Sequence, residues 1–176
     1  HNTACLNATS SSKLLRSKLA DQLIREAPIR YPDVVTHDVF KEADRTVLRT
    51  SHNGYDRAFG VTHRRELALS KDGNRLTGED IIGGPNGSVR FARDLPYAIH
   101  FHLDSTAPCR HDDDPAAALI QLRDGATWRF HATGATLSIE DSISFTDLAG
   151  PTHTNQIVLR GSSFGETRVN WSFERV

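Results

Sequence analysis

Apolar and polar residues alternate along most of this chain, a period of two that fits strands and not helices. The pattern is sharpest in residues 52–84, HNGYDRAFGVTHRRELALSKDGNRLTGEDIIGG. There Val61, His63, Arg65, Leu67 and Leu69 interleave with Thr62, Arg64, Glu66, Ala68 and Ser70. Asp72-Gly73 then predicts a tight two-residue turn with positive backbone dihedrals, and residues 75–82 return as the partner strand. Upstream, residues 3–7, 33–40 and 45–51 read as strands. Downstream, residues 97–103 place Tyr97, Ile99, Phe101 and Leu103 on one face, and Ala98, His100 and His102 on the other. Residues 116–122, 127–133, 136–140, 142–145, 155–160 and 167–174 follow as short strands, separated by Asp124-Gly125, Gly134, Asp141 and similar punctuation. In the last of them Val169, Trp171 and Phe173 alternate with Arg168, Asn170, Ser172 and Glu174, which predicts one buried face and one wet face.

One segment carries a helical pattern. Leu14, Leu15, Leu19 and Leu23 lie near helical spacing within residues 13–27, with Ser12 placed to cap the start and Pro28 to end it. The alternative for this segment is a long surface loop. Residues 85–88 read as a turn and residues 89–91 as a short extended piece. Many short strands with Gly and Asp turns, and no helix alternating with them, predict an all-β protein: an antiparallel β-sandwich in layers. At most one short helix, near residues 13–27, accompanies it. No repeat, low-complexity tract or linker divides the chain, so residues 1–176 form one domain.

Composition narrows the function classes. A chain of 176 residues is long enough for one substantial core. A net charge of -1 and an isoelectric point near 6.8 argue against a nucleic-acid partner, which selects for basic surfaces. No apolar run reaches the length of a membrane span, and no signal peptide is evident. The chain opens on His1 and contains no Met, as expected of a fragment or a processed form. Cys5 and Cys109 permit one disulfide, though two buried thiols is the simpler reading.

Nine histidines invite a metal hypothesis. His100 and His102 are two apart on a strand, so both rings point to one face, a bidentate start for a zinc site. No third ligand stands at a diagnostic spacing, and Asp104 on the same strand is poorly placed to converge with them. The simpler reading is that these histidines hydrogen-bond across the sheet, beside His63 or Glu79. Arg64 and Arg65 lie on opposite faces of their strand. One can line a groove and recognise a carboxylate or sulfate, while the other pairs with Glu79 or Asp80. Asp112, Asp113 and Asp114 lack the Gly and distal Glu of a calcium loop and read as a solvated acidic turn. Ser10, Ser11 and Ser12 have no nucleophile context.

The ordered motifs carry a resemblance. HNGYDRAFGVTHRRELALSKDGNRLTGEDII, IHFHL, LRDGATWRFHATGATLSIEDSISF, TNQIVLRG and VNWSFERV resemble the C-terminal β-sheet region of heparinase II/III-like proteins. The likeness is to a bacterial branch that carries RFHLHP where this chain has AIHFHLDS, and it runs over nearly the whole chain. The resemblance implies the rear part of a polysaccharide lyase. An N-terminal helical toroid precedes the sandwich, and an acidic polysaccharide lies between them. The implied reaction is β-elimination at a uronic acid, by a Tyr and a His upstream of this chain, so no catalytic residue is expected here. It also implies zinc in the full-length protein, with His1 of His1-Asn2-Thr3 as one ligand, and a periplasmic or secreted location. One ligand cannot hold zinc tightly, so the isolated chain is expected to retain none. Two positions depart from the family pattern: Asp104 stands where a His is usual, and Ser163 to Glu166 break the approach to the last strand. Two rival readings remain at this level. One is a non-catalytic carbohydrate-binding or interaction module, and the other is a metal-dependent enzyme using His63, His100 and His102.

Overall fold

The computed structural model describes residues 3–11, 13–14, 28–30, 32–84, 94–144 and 150–176. The chain enters with β1 (Ala4–Leu6), followed by a small antiparallel ribbon of β2 (Lys13–Leu14) and β3 (Pro28–Arg30). Next, β4 (Val35–Lys41) and β5 (Arg45–Tyr55) form a hairpin, a single turn α1 (Asp56–Phe59) intervenes, and β6 (Val61–Ser70) and β7 (Arg75–Gly83) make the central hairpin. Then come β8 (Leu95–His102), β9 (Cys109–His111), β10 (Ala117–Gln121), β11 (Thr127–Thr133), β12 (Thr136–Ser144), β13 (Thr152–Ser163) and β14 (Thr167–Arg175).

These strands make two antiparallel sheets. One has the order β1-β8-β13-β12, and the other runs β4-β5-β6-β7-β14-β11-β10-β9. The all-β sandwich expected from the alternation is therefore what forms. Its inner faces follow the period of two: Tyr97, Ile99 and Phe101 from β8 and Ile157 and Leu159 from β13 meet Val61 and Ile82, Phe130 and Ala132, and Val169 and Trp171. Each large side chain so buried contributes about 1.5–3 kcal/mol. Phe101 bridges the layers, with its ring centroid 4.8 Å from Trp171 and 5.1 Å from Phe130. Tyr55 makes a second bridge, donating its hydroxyl to the Ala4 carbonyl across the sandwich.

Several local expectations change. The central hairpin does not close on two residues: Leu69 pairs with Leu76, leaving residues 71–74 as a longer connection after Ser70. Gly73 alone takes a positive φ there, 72°, while the Asp72 carboxylate accepts from the Asn74 N–H and the Ser70 hydroxyl. That side-chain capping supplies what a two-residue turn would have supplied with backbone alone. Residues 136–144 form one strand, not two, because Asp141 pairs with Asn155 without interrupting the ladder. Cys109–His111, just before the acidic turn, joins the eight-stranded sheet as a short edge strand that the sequence reading did not include.

The helix expected near residues 13–27 meets strand at its start: Lys13–Leu14 pairs with Pro28–Arg30, and residues 15–27 lie outside the described residues. Pro28 opens a strand there instead of closing a helix. The helical turn among the described residues is Asp56–Phe59, ended by Gly60 at φ 68° with its N–H bonded to the Asp56 carbonyl. The turn and extended piece expected at residues 85–91 also lie outside the described residues. Cys5 and Cys109 are both free thiols, each half-buried. Among the described residues no helix is long and apolar enough to cross a membrane.

Candidate functional site

The densest group of titratable side chains sits inside the sandwich, on the inner face of the central hairpin. Alternation on β6 points His63 and Arg65 the same way, and the ladder sets Arg65 directly opposite Asp80 of β7. His52 of β5 is the cross-strand partner of His63, just before the register shift that leads into Tyr55. On the other flank Trp171 of β14 lies opposite Gly78. A Cβ on residue 78 would sit 2.2 Å from the indole Cζ2, so glycine is what lets the ring lie flat there and reach Asp80.

Asp80 is the hub. Its side chain is fully buried, yet every neighbour around it is a donor. Oδ1 accepts from His63 Nε2 at 2.6 Å and Arg65 Nε at 2.7 Å, and Oδ2 accepts from an Arg65 terminal nitrogen at 3.0 Å and Trp171 Nε1 at 2.8 Å. Burial alone would raise its pKa. The His63 hydrogen bond and the Arg65 charge more than offset this and hold the carboxyl below its ordinary range. The Arg65 guanidinium lies 5.9 Å from the Phe101 ring centre and 5.8 Å from that of Trp171, so the cation is held by faces of both sheets.

From Asp80 the donors run in one direction. The Gly54 N–H donates to His52 Nδ1 at 3.3 Å, which leaves His52 Nε2 to donate to His63 Nδ1 at 3.2 Å. His63 Nε2 then donates to Asp80. Burial first, then the nearby His63 and Arg65 charges, pull His52 down to about 4. Tyr55 packs on the His52 ring at 5.6 Å, and burial pushes its hydroxyl above its ordinary value. With the lone pairs of Asp80 engaged and its side chain sealed from solvent, this row ties the β5, β6, β7 and β14 strands of the eight-stranded sheet to one another, and Arg65 and the Trp171 ring reach the other sheet at Phe101. It presents no carboxylate to an external substrate.

The structure sorts the other candidates. Arg65 is the buried member of the arginine pair, as its alternation with Arg64 requires. Arg64 lies on the outer face with Glu166 at 2.6 Å, while Glu79 is held by Arg168 at 3.1 Å. That outer face is a ladder of pairs, with Arg49–Glu66 at 2.6 Å and Arg75–Glu174 at 3.0 Å beside a shallow polar hollow of about 380 Å³. His100 and His102 point outward from the four-stranded sheet, away from His63. Their rings stack at 6.1 Å, but the partners are Gln156 at 3.1 Å and Ser142 at 2.9 Å, not His63 or Glu79. The expected cross-sheet bonding thus occurs with different residues, because His63 lies between the layers and these two lie outside them.

Asp104 caps its own turn, accepting from the Thr106 N–H at 2.9 Å. Asp112 and Asp114 pair with Arg129 at 2.6 and 3.1 Å while keeping contact with solvent, and Asp113 is exposed, as the reading of a solvated acidic turn expects. Among the described residues no three His, Cys, Asp or Glu side chains gather at metal-binding spacing. His1 and Ser12 lie outside the described residues. Sequence reasoning missed His52, Trp171 and Glu166. His52 becomes visible only once the β5–β6 register is known. A second feature went unseen as well: an apolar cavity of about 550 Å³ at one end of the sandwich, lined by Leu67, Leu76, Phe101, Leu103, Trp128 and Phe173.

Solved structures share this fold. A heparinase III structure with methylated lysines superposes with a TM-score of 0.69 at 13% identity, over 100% of this chain and 23% of that one. The heparan sulfate lyase HepC from Pedobacter heparinus matches with a TM-score of 0.71 at 11% identity, over 99% of this chain and 24% of that one. This chain therefore spans about a quarter of the length of those enzymes. Among curated proteins no sequence matches it. The family model for heparinase II/III-like C-terminal domains matches residues 1–172, and on that match this chain belongs to the heparinase II/III-like C-terminal family.

Proposed function

We propose that this chain is the β-sandwich part of a polysaccharide lyase that cleaves uronate-containing acidic polysaccharide by β-elimination, and that the chain alone does not turn over. The observation that carries the reading is family membership across residues 1–172. The sealed state of the buried row agrees with it. β-Elimination needs three things: neutralisation of the uronate carboxylate, a base to take the proton beside it, and an acid for the leaving glycosidic oxygen. The buried carboxylate Asp80 serves Arg65, His63 and Trp171 and has no lone pair to spare for a substrate. The acid and base then belong to the rest of the longer protein, on a helical toroid against which this sandwich packs.

Zinc enters this reading only through His1, one ligand at most. The described residues supply no further set of three, so no step is routed through a metal. The test compares this chain with the full-length protein on heparin, heparan sulfate and alginate, read by the ultraviolet absorbance of the unsaturated uronate product. Product from the full-length protein and none from this chain is the expected result. Turnover by this chain alone, or no product from the full-length protein on any uronate polymer, would overturn the proposal.

A further inference from the structure

β4 is an edge strand of the eight-stranded sheet, exposed along its whole length on both faces. Val34, Val35, Val39 and Phe40 are 54%, 64%, 58% and 44% exposed, an unusual apolar content for an open edge. Nothing on this edge blocks pairing. The β4–β5 ladder runs from Val35 to Lys41 without a register shift, and the segment holds no proline and no bulge. Among the described residues no strand pairs with its other side.

The hydrogen-bonding sense of the edge is fixed by its ends. The Asn53 N–H donates to the Val34 carbonyl, and the Glu42 N–H donates to the Arg45 carbonyl, so even-numbered residues turn their backbone groups toward β5. Val35, His37, Val39 and Lys41 therefore aim theirs outward. We propose that this edge pairs antiparallel with β4 of a second copy of the chain, about a two-fold axis through His37, joining two eight-stranded sheets into one.

The sequence DVVTHDVFK is self-complementary about that axis. Asp33, which also accepts from Arg57 of its own chain at 3.3 Å on the open surface, falls opposite the second copy's Lys41, Val34 opposite Phe40, Val35 opposite Val39 and Thr36 opposite Asp38, each twice. The outward backbone groups of Val35, His37 and Val39 bond in that register. A two-fold axis normal to the sheet keeps each face on its own side, so odd residues must meet odd and even must meet even. The neighbouring permitted registers are worse: centring on Thr36 sets Val34 opposite Asp38 and Asp33 opposite Val39. Centring on Asp38 sets two carboxylates face to face, and centring on Val39 sets Lys41 opposite His37 and Phe40 opposite Asp38. Like charges directly opposite are destabilising, and apolar and opposite-charge pairs are stabilising, so the His37 register wins. It also continues the apolar row Leu67, Leu48, Val39 onto the second copy's Val35, since those three are ladder partners.

Sedimentation velocity on this chain, over a range of concentrations, tests the proposal. The wild type should show a monomer–dimer equilibrium. His37→Pro removes an N–H that faces away from β5, so a folded monomer by circular dichroism is expected with the dimer lost. Lys41→Asp sets carboxylates opposite one another at two places and should weaken the dimer about tenfold. Adding Asp33→Lys to that variant swaps the pair and should restore wild-type association. A wild-type chain that stays monomeric at high micromolar concentration would overturn the proposal, as would a dimer indifferent to Lys41→Asp, or a double variant that fails to recover.

Discussion

Replacing Asp80 by alanine tests how much the buried row inside the eight-stranded sheet contributes to stability. The substitution takes from Arg65, whose side chain is only 13% exposed, the carboxylate that it binds through two nitrogens, and strips Trp171 Nε1 and His63 Nε2 of their acceptor. Removing one partner of a buried ion pair costs about 3–5 kcal/mol. A domain of this size is stable by about 5–15 kcal/mol in total. With a urea dependence of roughly 2 kcal/mol per molar, a loss near 4 kcal/mol moves the unfolding midpoint down by about 2 M. Tryptophan fluorescence reads the transition, because the Trp171 indole contacts the altered residue directly. Asp80→Leu combined with Arg65→Met removes both charges, so it should cost less than Asp80→Ala alone, because no orphaned ion remains. A midpoint shift of under about 0.5 M for Asp80→Ala, or additive losses in the pair, would refute the reasoning.

Two further outcomes follow from the same row. His52 is lowered from its ordinary 6.5 to about 4 in the folded chain. As the pH falls, the unfolded chain therefore takes up the proton first, and stability declines from about 6.5 down to about 4. Asp80, held below its usual range, adds a loss at still lower pH as it protonates. His52→Gln should flatten the upper part of this decline in urea midpoints measured against pH, and an unchanged profile would sink the assignment. Gly78→Ala forces a Cβ into the Trp171 indole, 2.2 Å from Cζ2, and should cost about 1–3 kcal/mol while changing the near-ultraviolet dichroism of that ring. A variant with wild-type midpoint and spectrum would show that the indole does not lie over residue 78.

The family to which this chain belongs was legible from short motifs in a fixed order, though the solved enzymes of like fold share only 11–13% identity with it. What those motifs encode locally is a pattern of inside and outside. Val169, Trp171 and Phe173 face the core, and Arg168 and Asn170 face water, as their spacing requires.

Strand character over most of the chain and the alternate facing of side chains within each strand were thus determined by the sequence alone, because the pleat turns successive residues to opposite sides whatever the strand pairs with. The separation of Arg64 from Arg65 follows from that alone. Pairing partners and register were decided only by the tertiary structure, because they rest on residues far apart in the chain. Trp171 meets Asp80 across 91 positions, and Arg64 meets Glu166 across 102. The same holds for the turn at residues 71–74 and the strand at residues 13–14, where side-chain capping and a ribbon partner outweighed local propensity. His63, His100 and His102 look equivalent on paper, but the layering of the sheets puts one between them and two outside.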